Sequence, residues 1–108
     1  MMEKFDEKLY LVDMYEDDYF PNFLVDKIKN LLKEAVEYLE SGEHDLGDIQ
    51  KVFDKAIIGI NDLEEEFGEN DSEIETAARE SIGQTVRDII KHFNLNVDDE
   101  TLMQERDW

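Results

Sequence analysis

The sequence predicts an all-α fold, a small up-and-down helical bundle of three long helices with a short helix at each end. Apolar residues recur at three- and four-residue spacing over about residues 22–40, 46–67 and 72–93, the period of a helix with one buried stripe. No long alternation of apolar and polar residues argues for a sheet, and the 108 residues hold one proline. Connections of a few residues between long helices make neighbours antiparallel. The length suits a single domain, residues 1–108, with one core.

Taken in order, residues 1–12 (MMEKFDEKLYLV) read as a short helix presenting Phe5, Leu9 and Val12. Residues 13–21 (DMYEDDYFP) break the pattern, and Pro21 suits a first helical turn, where its missing N–H costs nothing. The second helix buries Leu24, Ile28, Leu31, Leu32, Ala35 and Leu39. Gly42 falls where a C-cap needs positive φ, and Asp45 can cap the third helix. That helix carries Ile49, Val52, Phe53, Ala56, Ile57, Ile60, Leu63 and Phe67 on one face, with Gly59 as a close crossing or a tolerated defect. Gly68-Glu69-Asn70 ends it.

Ser72 and Glu75 have the spacing of a capping box for the next helix. Its stripe is Ile74, Ala77, Ala78, Ile82, Val86, Ile89, Ile90 and Phe93, and Lys91 and His92 complement its negative end. Asn94-Leu95-Asn96 is a break, Asp98 can cap a short final helix, and Trp108 reads as a plug docking on the bundle.

Thirty acids against eleven bases leave a formal charge of −19. Such a field repels nucleic acid and anionic membranes and attracts cations or basic proteins. The chain lacks cysteine, which excludes thiolate chemistry and disulfides and removes zinc's usual soft ligands. No apolar run reaches membrane-spanning length and the first residues do not read as a signal peptide, so a cytoplasmic location is expected.

Enzyme chemistry finds little support. Ser41, Ser72 and Ser81 fall in a turn, a cap and a helix face, without a nucleophile elbow or phosphate loop. His44 reads as a turn residue and His92 as a dipole partner. Neither Glu-x-x-His pairs nor an EF-hand loop occurs. No catalytic residue, resident metal or cofactor is implied.

Charge distribution says more. Between Asp62 and Glu75 lie eight acids and no lysine or arginine. Acids beyond the core of the third helix sit at its negative dipole end, against the usual preference, and a broken local rule often marks function. In an up-and-down bundle this stretch shares one end of the molecule with residues 13–20, which gathers twelve acids around Tyr15, Tyr19 and Phe20. The plain alternative is a set of solvated helix tips. As a functional pole, its binding residues would be Tyr15, Asp17, Tyr19, Phe20, Glu66, Glu73, Glu75 and Arg79. All three arginines lie in the last third of the chain, and Arg79 follows Glu75 by four residues, the spacing of a helical ion pair.

Met14-Tyr15-Glu16-Asp17-Asp18-Tyr19-Phe20-Pro21 is followed by Leu24-Val25-Asp26-Lys27. Further on come Asn61-Asp62-Leu63 through Phe67, Ser72-Glu73-Ile74-Glu75-Thr76-Ala77-Ala78-Arg79-Glu80 and the ending Arg106-Asp107-Trp108. In these segments the chain resembles an uncharacterised family of small bacterial proteins, a domain of unknown function. The resemblance implies a bacterial cytosolic protein and brings no catalytic residue with it.

Together these features predict a non-enzymatic protein-binding module, with an immunity- or antitoxin-like inhibitor as one form, whose acidic pole meets a basic protein. The alternative is a divalent-metal-binding protein or metal-dependent enzyme using Asp17, Glu73 and Glu75 as oxygen ligands. A structural module that dimerises through an apolar helix face stands beside them, and the residues favour neither monomer nor dimer.

Overall fold

The apolar stripes become helices that meet along their buried faces. The computed structural model describes residues 4–108, and among them the regular elements are α1 (Val12–Glu16), α2 (Asn22–Glu40), α3 (Leu46–Asp62), α4 (Glu64–Glu69), α5 (Thr76–Phe93) and α6 (Asp99–Leu102), with a 3₁₀ turn at Glu7–Leu9 and no strand. The fold is an all-α bundle of 41 × 25 × 18 Å.

Along α2, Leu24, Val25, Ile28, Leu32, Ala35, Val36 and Leu39 are buried. The chain leaves it through Gly42, at φ +152°, and the Asp45 side chain accepts from the Asp48 amide at 2.8 Å to cap α3. The two helices run antiparallel, because Lys27 shares a groove with Leu63, Leu31 with Gly59, and Tyr38 with Val52. Gly59 marks a close crossing: a Cβ there would lie 2.8 Å from Leu31 Cδ2.

The third helix does not run unbroken from 46 to 67. The Leu63 amide donates to the Ile60 carbonyl, a three-residue step, and α4 starts afresh at Glu64 while keeping Phe67 in the core. The step is slight: Leu63 keeps right-handed helical dihedrals at φ −79° and ψ −13°, and Glu64, Glu65 and Glu66 follow it in the first turn of α4.

The capping box is also corrected. Asp71 takes φ +57°, its amide donates to Gly68 O at 3.2 Å, and the Ser72 amide donates to Phe67 O at 2.9 Å. This pair of bonds is a Schellman closure of α4, and it turns Ser72 inward, its buried hydroxyl beside the Tyr19 phenol. Consequently α5 begins at Thr76 rather than residue 72, with Glu75 at the N-cap making no side-chain bond. Ala77 faces out, whereas Ala78, Ser81, Ile82, Thr85, Val86, Ile89 and Phe93 face in. Asn94, at φ +53°, ends the helix as expected.

Residues 1–3 of the expected N-terminal helix lie outside the described residues. The remainder of that stretch forms a 3₁₀ turn and then α1, separated by Leu11 at φ +50°. A continuous helix would bury Leu9 and Val12; instead both are exposed, and Tyr10, Leu11 and Met14 enter the core. The driving contact is a buried hydrogen bond from the Leu11 amide to Thr85 Oγ1 at 2.9 Å, with Thr85 donating onward to Ser81 O at 3.1 Å.

At the other end, the Asp98 side chain accepts from the Thr101 amide at 2.8 Å and caps α6. Asn61 then straps the last residues to α3. Its Nδ2 donates to Glu105 O at 2.7 Å, and its Oδ1 accepts from the Asp107 amide at 3.1 Å. Trp108 packs half-buried against the core.

Candidate functional site

Tyr15 leaves α1 and donates to Asp26 Oδ1 on α2 at 2.5 Å. Burial first, and that carboxylate second, raise its phenol well above the ordinary tyrosine range. Asp17 accepts the Tyr19 amide at 3.0 Å, a tight local turn that holds the 17–20 loop in place. That loop drives Phe20 into the core and leaves Tyr19 43% exposed, the two rings meeting edge-on at 5.1 Å. Phe20 is therefore an anchor for the loop rather than a surface a partner would touch.

The same loop meets the 70–75 stretch. Burial, then the charges of Glu73 and Glu75, raise the Tyr19 phenol above its ordinary value, so the three residues lie within electrostatic reach. On the flank, Lys27 Nζ pairs with Glu66 at 2.6 Å and ties α2 to α4. Of the ion pairs among the described residues, this is the one that neutralises a pole acid. Tyr15, Asp17, Tyr19, Glu66, Glu73 and Glu75 thus share one end of the bundle, as the short connections predict.

Two features differ from the expectation. Glu64, Glu65 and Glu66 lie in the first turn of a separate short helix, α4, rather than in the last turns of one long third helix. Arg79 does not pair with Glu75, which sits at the N-cap; its guanidinium donates to Thr76 Oγ1 at 2.9 Å and lines a cleft with Arg87 and Arg106. Asp26 and Lys27 brace the pole. Sequence reasoning missed them as site residues, although both stand in the Leu24-Val25-Asp26-Lys27 segment that carries the family resemblance. No group of three or more His, Asp or Glu side chains that could hold a metal ion occurs among the described residues.

The helical architecture and the charge of this end define a class: small, all-α, strongly acidic proteins built around an antiparallel helix pair. More particularly, the chain belongs to the family of unknown function DUF5713, whose model matches residues 4–108. No curated protein and no solved structure matches it. Among the described residues, no helix is long and apolar enough to cross a membrane.

Proposed function

We propose that the protein is a cytosolic, non-enzymatic binding module whose acidic pole receives a basic segment of another protein, in the manner of an immunity or antitoxin inhibitor. The observation that supports it is the setting of Tyr19. This aromatic ring stays 43% exposed on an anchored loop, within reach of Glu73 and Glu75. A rigid aromatic surrounded by carboxylates offers a lysine- or arginine-rich segment both contact area and charge. Anchoring by Phe20, the Asp17 turn and the Tyr15–Asp26 bond lowers the ordering cost of docking.

A labelled oligolysine peptide tests it by fluorescence anisotropy across a sodium chloride series. Binding should weaken steeply with salt. Replacing Glu73 and Glu75 by glutamine, or Tyr19 by alanine, should weaken it by about threefold to tenfold. Replacing Glu34 and Glu37 on α2 by glutamine should change it far less. Equal losses from the two acid pairs would mean that the peptide senses only the overall charge of −19, and the pole would have no special role.

A further inference from the structure

All three arginines of the chain line one cleft of about 260 Å³, formed by α5, α6 and the segment after it. With thirty acids available, an arginine should find a carboxylate. Arg87 does: it donates to Asp99 Oδ2 at 3.0 Å and to Gln84 Oε1 at 3.2 Å. Arg79 and Arg106 take part in no ion pair among the described residues. Two planar guanidinium forks left unneutralised at one cleft are suited to receiving an oxyanion.

The rest of the lining sets the size and charge of what fits. Met103 and Trp108 supply apolar surface. Gly83 keeps the floor low, since a Cβ there would lie 3.3 Å from Arg87 Nη1 and 3.8 Å from Met103 Cε. Thr76, the first residue of α5, lines the same cleft, so the helix dipole adds to the attraction. Glu80 and Glu100 also line it, and they disfavour a polyanion while leaving room for a ligand with one anionic group.

We propose that this cleft binds a small organic oxyanion, a carboxylate or phosphate monoester on an apolar body, with the anionic group on Arg79 and Arg106 and the body against Met103 and Trp108. This site is distinct from the acidic pole and stands whether or not the pole binds a protein. The ligand is held by charge-assisted hydrogen bonds, and the acidic surface around the cleft keeps nucleic acid away.

Trp108 is the chain's one tryptophan, so its emission reads the cleft directly. The protein is titrated with phenyl phosphate, benzoate and inorganic phosphate at ionic strength held constant with sodium chloride. A saturable change is expected with phenyl phosphate or benzoate, tighter than with inorganic phosphate, and the tighter of the two names the anionic group. Arg79→Gln and Arg106→Gln should each weaken it about tenfold, whereas Lys51→Gln on α3 should not. Calorimetry on the same variants, with helicity checked by circular dichroism, gives a second readout. A response to all three probes no different from that to chloride, or unaltered affinity in the folded double arginine variant, overturns the proposal.

Discussion

Thr85 Oγ1 accepts the amide of Leu11 within the core, and no valine of the same shape can do so. Thr85→Val should therefore cost about 1–3 kcal/mol, the penalty of a buried donor left unpaired, measured by urea denaturation; a variant as stable as the parent would mean that the amide finds another acceptor. Ser72 presents the opposite case. Its Oγ is buried, faces the Tyr19 phenol and caps no helix, so Ser72→Ala should cost at most about 0.5 kcal/mol. A true N-cap serine would lose about 1 kcal/mol on the same change, so a loss of that size in the melting curve would restore the capping box. Sequence spacing could not separate these outcomes. Ser72-x-x-Glu75 has the right letters, but the Schellman closure at Asp71 claims the Ser72 backbone first.

At the level of elements, the split between α3 and α4 carries a pH signature. Burial, then a hydrogen bond and the charge of Asp107, raise the Glu64 carboxyl above its usual value. A carboxyl with a raised folded-state pKa binds its proton more readily folded than unfolded, so it lowers stability as pH rises above the unfolded value, the loss being complete above the folded one. The penalty disappears as pH falls below the unfolded value of 4.5. Glu64→Gln should thus raise the melting temperature at neutral pH and leave it unchanged near pH 4; an equal gain at both would assign the effect to something other than ionisation. Glu7 and Asp98 work in the other direction. Lys33 and Lys29 lower the Glu7 carboxyl, and Thr101 lowers that of Asp98, so their support is lost as pH falls through the folded values.

Helix existence was legible in the sequence because periodicity reports a buried face directly: α2 falls on its expected bounds, and the caps at Asp45 and Asp98 form as expected. Helix ends were not. The step at Leu63, the late start at Thr76 and the turn at Leu11 depend on carbonyls and hydroxyls that only the folded chain brings near.

Across the whole molecule, charge sets the tone. A chain of −19 compressed to a Cα radius of gyration of 13.3 Å repels itself, so sodium chloride from low to physiological strength should raise the melting temperature. The rise should shrink when pole acids are neutralised; a melting temperature indifferent to salt would mean that the acids are too well solvated to matter. The pole itself was legible because connection length decides which helix ends meet, and Tyr19, Glu73 and Glu75 do. The arginine cleft was only half legible. All three arginines fall in the last third of the sequence, but their convergence needs Asn61 to hold the final residues back against the bundle, and no periodicity announces a side-chain strap of that kind.

The bond between Leu11 and Thr85 spans 74 positions, so it joins the first buried turn of the chain to its last long helix. Fraying of either end leaves it intact, because both partners sit in the shared core. Its amide proton is then a sentinel: in heavy water it should exchange only through complete unfolding, at a rate that tracks global stability as denaturant rises. Amides of the 17–20 loop should be lost far sooner through local openings. One residue near the N-terminus would in that way report on the integrity of the entire bundle.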